Sequence, residues 1–213
     1  MFVASASAAK AVTATAVPLA ALTALNGLRD PGRIGPGKKV LINGASGGVG
    51  TFAVQIAKFL GAEVTGVCST RNVDLVRSIG ADRVVDYTGD DFTRGGQGYD
   101  LIFDLVGNRS LSECMRVLNP DGVYLMCFGR PENDWLGPFP QLLGARVRSP
   151  FVSPNLVELA WHFESEDLRF LGDLLAAGNV TPVLDRSYPL VEAAEAVRYL
   201  EKGHARGKIV VTV

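Results

Sequence analysis

The sequence predicts an α/β fold, a doubly wound parallel sheet with extra strands at its C-terminal end. Three observations predict it. Short apolar runs alternate with stretches whose apolar residues recur at helical spacing. The hydrophobic fraction is 47% and the mean hydropathy +0.20, as a sheet buried on both faces requires. A glycine-rich segment at 43–50 stands between an apolar strand and an amphipathic helix, where open α/β sheets hold anionic ligands. At 213 residues the chain is long enough for one sizeable domain.

Residues 17–28 read as a helix, with Pro18 tolerated in its first turn. The first 29 residues hold no acid and are rich in Ala, Thr and Val. They lack a basic start, and Pro18 interrupts an apolar run too short to span a bilayer. A helix packed on the domain is therefore expected rather than a targeting segment. Turns follow at Pro31-Gly32 and Gly35-Pro36-Gly37. Residues 39–43 read as a first strand. Val49, Phe52, Ala53, Ile56, Ala57 and Leu60 then mark a helix that Gly61 closes. Strands are expected at 63–68, 82–86, 101–103, 123–127 and 145–151, with helices over 72–79, 108–117, 154–177 and 191–202. Strands at 183–188 and 208–213 fall outside the alternation. This gives a helical lead-in (1–36), a dinucleotide-binding domain of the Rossmann kind (37–180) and a C-terminal segment (181–213).

Composition narrows the function. A net charge of −1 argues against a nucleic-acid partner. Cys68, Cys114 and Cys127 are scattered and lack CxxC spacing, which suggests reduced thiols in a cytoplasmic protein. With His162 and His204 as the only histidines, no metal cluster can be assembled from this inventory. His162 reads as core or interface packing, and His204 as a surface group.

The segment Asn43-Gly44-Ala45-Ser46-Gly47-Gly48-Val49-Gly50 has the strand-to-helix context of a dinucleotide fingerprint. Its glycines let backbone N–H groups approach a pyrophosphate, and the helix start adds partial positive charge. Gly44, Gly48 and Gly50 also match the short-chain dehydrogenase loop. Those enzymes need Tyr-x-x-x-Lys, and none of the five tyrosines has lysine four residues on. After the second strand comes Cys68-Ser69-Thr70-Arg71-Asn72, with no acid before Asp74. An NAD site places a carboxylate there. Hydroxyls and a guanidinium suit the 2′-phosphate of NADPH instead. Tyr87, after the third strand, either adds a hydroxyl or packs.

In its motifs the sequence resembles the medium-chain dehydrogenase/reductases, in particular the zinc-independent quinone oxidoreductase branch. The resemblance runs through Pro18-Leu-Ala-Ala-Leu-Thr-Ala-Leu, the 40–50 loop, Ser69-Thr-Arg-Asn, Ile79-Gly-Ala-Asp, Phe103-Asp-Leu-Val-Gly, Phe151-Val-Ser-Pro and Gly203-His-Ala-Arg-Gly-Lys. It implies a place near the nicotinamide for Thr23, a pyrophosphate cradle of Gly47, Gly48 and Val49, and a 2′-phosphate site of Ser69 and Arg71, with Thr70 and Tyr87 as weaker candidates. It implies Val106 near the adenosine and Phe151, Val152 and Ser153 along the nicotinamide half. Arg206 and Lys208 match a basic element that either approaches the cofactor or stands as a solvated tail. Family members begin with a separate catalytic domain that this sequence does not contain, and that domain would carry most of the substrate pocket and any zinc ligands.

The implied activity is NADPH-dependent hydride transfer to a small-molecule electron acceptor, a quinone or an α,β-unsaturated carbonyl. No residue reads as an indispensable acid or base. A homodimer through 121–151, with Phe128, Trp135 and Phe139, is expected by analogy, with no membrane partner. A non-catalytic NADPH-binding sensor and a remnant without ligand are the competing readings.

Overall fold

The structure is a computed structural model that describes residues 17–127, 156–158, 164–203 and 205–212. The expected strand at 145–151, the cofactor candidates Phe151, Val152 and Ser153, the interface aromatics Phe128, Trp135 and Phe139, and both histidines lie outside the described residues.

Among the described residues, eight strands form two sheets. Six of them, β1 (Lys39–Asn43), β2 (Glu63–Cys68), β3 (Arg83–Asp86), β4 (Tyr99–Asp104), β5 (Leu118–Met126) and β6 (Leu156–Glu158), lie in the order β3-β2-β1-β4-β5-β6. Every pairing between them is parallel. This is the doubly wound order, in which the winding reverses between β1 and β4 and leaves a crevice outside their carboxyl ends. The register sets Asn43 opposite both Val67 and Asp104, so the chain leaves β1, β2 and β4 at one level.

The first helix, α1 (Pro18–Arg29), is buried from Ala20 to Leu28. Its apolar side chains join Val40, Ile42, Phe52, Ile56, Leu101, Phe103 and Leu125 in one core on one face of the sheet. The helix α2 (Gly50–Phe59) is buried on almost every side. A smaller core on the other face gathers Leu41, Val67, Ile102, Cys114 and Tyr124. Burying each such Leu, Ile, Val or Phe contributes roughly 1.5–3 kcal/mol. The short helices α3 (Val73–Ser78) and α4 (Leu111–Met115) complete the crossovers.

Two expectations change. The helix expected over 154–177 is α5 (Ser165–Ala176), and residues 156–158 form β6 on β5. A three-residue Leu-Val-Glu run carries no period of its own, and an open sheet edge decides its conformation. The fifth strand begins at Leu118, earlier than its apolar run suggests, with a register irregularity against β4. The out-of-pattern strands are β7 (Leu184–Pro189) and β8 (Lys208–Thr212), which pair in parallel as a separate sheet. The helix α6 (Ala193–Glu201) connects them.

Candidate functional site

The crevice at the reversal point is a cleft of about 550 Å³, within the range of small-molecule and cofactor sites. Each wall comes from a strand end. Asn43 ends β1 and leads into Gly44 and Ser46 to Gly50, Cys68 ends β2 and leads into Ser69, Arg71 and Asn72, Tyr87 follows β3, and Leu105, Val106 and Asn108 follow β4. Cys127 closes the β5 side, and Gly203 and Ala205 arrive from the C-terminal unit.

The loop is built for close approach. Gly44 has φ +89°, a left-handed conformation that disfavours other residues, and a Cβ there would stand 2.8 Å from Val106 Cγ2. A Cβ on Gly50 would collide with the Gly44 carbonyl oxygen. These two glycines let the chain fold back so that α2 starts at the cleft floor. No side chain caps that start, and its first turn holds no acid. Thr51 N–H already donates to the Gly47 carbonyl at 3.0 Å, so the N–H groups of Gly48, Val49 and Gly50 are the ones left for a ligand, with the positive end of the helix behind them.

The second corner is the short turn Thr70–Asn72, entered from Ser69 in extended conformation. Ser69, Arg71 and Tyr87 all line the cleft. Thr70 lies outside the lining; its hydroxyl pairs with Thr88 at 2.8 Å, and the pair holds the Asp86 carboxyl below the usual carboxylate range through the Thr70 and Thr88 hydrogen bonds. Two further cations come from the C-terminal segment, which docks on the loop by Gly207 N–H to the Ser46 carbonyl at 2.9 Å. Lys208 Nζ would lie 3.1 Å from a Cβ on Gly48, and burial pushes its ammonium below the ordinary lysine value. Arg206 donates to the Arg71 carbonyl at 3.5 Å. One cation thus stands beside each corner, although neither Arg206 nor Lys208 forms part of the lining. Thr23 also lies outside the lining: it is buried in α1, with its hydroxyl donating to the Leu19 carbonyl at 2.7 Å.

Two organising residues escaped the sequence reading. Asp104, fully buried, accepts from Asn43 Nδ2, the Val106 and Gly107 N–H groups and the Tyr124 hydroxyl at 2.6–3.0 Å. It thereby shapes the wall formed by Val106 and Asn108. Asn72 bridges Ser46 and Ser69. The motif Phe103-Asp-Leu-Val-Gly pointed to the first. The motif Ser69-Thr-Arg-Asn contained the second, but nothing local in the sequence showed that it bridges the two serines.

The family model for a zinc-binding dehydrogenase matches residues 79–211. The chain belongs to the medium-chain dehydrogenase/reductases. Within this superfamily it is similar to a mitochondrial NAD(P)H oxidoreductase of Mus musculus, 36% identical over 94% of the chain and 55% of that protein. It is 34% identical to a chloroplast envelope quinone oxidoreductase homolog of Arabidopsis thaliana, over 94% of the chain and 62% of the relative. The solved structure of the quinone oxidoreductase from Coxiella burnetii superposes with a TM-score of 0.79 at 29% identity, covering 93% of this chain and 59% of that one. The chain therefore spans little more than half the length of the relatives it matches. The superfamily expected from the motifs is confirmed for this cofactor-binding half.

A zinc site does not fit the described residues, since no three His, Cys, Asp or Glu side chains gather among them. Both cleft cysteines are neutral thiols at ordinary pH. Burial, with Asp86 adding to it at Cys68, pushes Cys68 to about 11, and burial does the same at Cys127.

Proposed function

We propose that this chain is the cofactor-binding half of an NADPH-dependent oxidoreductase that passes a hydride to a quinone or an α,β-unsaturated carbonyl. The observation that carries the reading is the pairing of two anion corners in one cleft. The uncapped start of α2, with Gly44, Ser46, Gly47, Gly48, Val49 and Gly50, suits a pyrophosphate. Ser69 and Arg71, without a lining carboxylate, suit a 2′-phosphate. Lys208 and Arg206 add charge beside each corner, and Val106 offers an apolar wall to the adenosine.

When bound, nicotinamide supplies the hydride. The protein's part is to hold the dinucleotide and keep the cleft free of competing acid–base groups. No His, Asp or Glu side chain lines it among the described residues. The relatives' names, an NAD(P)H oxidoreductase and a quinone oxidoreductase homolog, support the acceptor class. A homodimer through residues 121–151 and a cytoplasmic location complete the proposal. No described helix is long and apolar enough to cross a membrane. Sedimentation tests the dimer and cell fractionation the location, the latter against relatives named for the mitochondrion and the chloroplast envelope.

Parallel calorimetric titrations with NADPH and NADH test the cofactor. NADPH is expected to bind more tightly, and Arg71→Ala to weaken NADPH by roughly 10- to 100-fold while sparing NADH. Equal losses for the two would overturn the 2′-phosphate assignment. A non-catalytic NADPH sensor remains the alternative if binding is tight but no acceptor is reduced by the complete protein.

A further inference from the structure

We propose that Asn72 is a positioning residue that fixes the hydrogen-bond polarity of both cleft serines and couples the two anion corners. The inference rests on the reading of the cleft as an NADPH site. Asn72 ends the turn after β2 and is 5% exposed. Its Nδ2 donates to Ser46 Oγ at 3.0 Å and to Ser69 Oγ at 3.2 Å. One serine belongs to the glycine loop and the other to the 2′-phosphate corner, and both line the cleft with Asn72 between them.

The chemistry follows from what an amide nitrogen can do. It only donates, so each serine oxygen is an acceptor in this bridge. The single proton of each hydroxyl is then left for a third group. Phosphate oxygens accept and never donate when ionised, so two serines held as acceptors by Asn72 are two donors toward an anion. A hydroxyl that already accepts one hydrogen bond also donates a stronger one.

The opposite amide orientation is worse on its own terms. It would consume both hydroxyl protons on Oδ1 and bury the amide N–H groups without partners. In the orientation found, the group left without a partner is the buried Oδ1, and an unpaired carbonyl oxygen is tolerated more often than an unpaired N–H. The side chain gives up its acceptor's partner and keeps both serines.

The bridge also links segments that approach only in the fold. Ser46 leaves β1 and Ser69 leaves β2, and the parallel pairing of these strands brings their ends side by side. A change at one corner is therefore passed to the other through one side chain. Asn72 acts on the ligand through the serines.

The test is a set of calorimetric dissociation constants for NADPH and NADH on the full chain, with Asn72→Ala, Ser46→Ala, Ser69→Ala and their combinations. Asn72→Ala is expected to weaken NADPH by about tenfold and NADH by less, through Ser46 alone. In the Ser46→Ala/Ser69→Ala background the same change is expected to cost nothing further, the non-additivity of residues that act as a unit. An undiminished loss in that background, or no loss in the parent, overturns the proposal, because a merely structural asparagine would not depend on the serines. If Asn72→Ala does not fold, Asn72→Ser, too short to reach both hydroxyls, takes its place in the same cycle. Failure of the NADPH reading shows separately, as equal parent affinities for the two dinucleotides and an Arg71→Ala effect shared by both. The Asn72–Ser46 pair is then still decided with NADH.

Discussion

The six-stranded sheet and the C-terminal β7–α6–β8 unit are held together by different means. In the sheet, Phe52, Phe103, Leu41, Ile42, Leu101 and Leu125 are all below 2% exposed, and the buried Asp104 carboxylate has its hydrogen bonds satisfied. In the C-terminal unit Leu190, Val191, Val197 and Leu200 are more than half exposed. The unit meets the sheet's cleft through backbone and long cationic side chains: Gly207 on Ser46, Lys208 over Gly48 and Arg206 on the Arg71 carbonyl. The first region makes the fold, and the second brings charge to the site. Substitutions in the core of the sheet should therefore show as losses of stability, and substitutions of the C-terminal cations as losses of affinity.

The largest effect is expected for Phe103→Ala, whose ring packs in the main core beside Gly27 and Leu125. Its cavity should cost about 3–5 kcal/mol in denaturant unfolding. Next, Tyr124→Phe removes the hydroxyl donor 2.6 Å from Asp104 Oδ2 and leaves that oxygen short of a partner in the interior, which should cost about 1–3 kcal/mol. If either change lowered dinucleotide affinity with stability intact, the division between the regions would fail.

Lys208 gives the matching test from the other side. Burial sets its folded pKa below the ordinary 10.5. A depressed lysine disfavours its charged form in the free protein, so the unliganded fold gains stability as pH rises through the folded pKa toward the unfolded one. A bound anion favours the charged form, so binding should take up a proton in that same alkaline window. Affinity should fall there as pH rises. Lys208→Arg, charged throughout, should flatten the profile. Lys208→Met should lower affinity several-fold at neutral pH and abolish the alkaline fall. Calorimetry in buffers of different ionisation enthalpy reads the proton directly.

The same division explains what the sequence disclosed. Gly44 to Gly50, Ser69 and Arg71 were legible because the chemistry and the strand-turn-helix context are local. The expectation of a packed helix at 17–28 rested on Pro18 in its first turn and on the lack of a targeting signature, and α1 is buried. Asn72 was not legible, because its partners Ser46 and Ser69 meet only when β1 and β2 pair. Residues 156–158 were read as helix because a three-residue edge strand is decided by β5 and not by its own pattern. The cations Arg206 and Lys208 were legible as charges, while their placement at separate corners depends on the Gly207–Ser46 contact.

The smallest expected effect bears hardest on the comparison. Val191 is 91% exposed in the middle of the turn before α6, so Val191→Ser removes little buried apolar surface and should change stability by no more than about 0.5 kcal/mol. Leu200→Ser, inside α6 at 58% exposure, loses some burial and helix propensity and should cost about 1 kcal/mol. The physical basis is area: a side chain already in water has little transfer free energy to lose. Urea unfolding of both variants beside Phe103→Ala measures the ratio between the regions directly. A loss at Val191 of several kcal/mol would mean that this face is covered in the protein as it exists in solution. The C-terminal unit would then be held by apolar burial like the sheet, and its backbone and cationic contacts with the cleft would no longer account for how it is held.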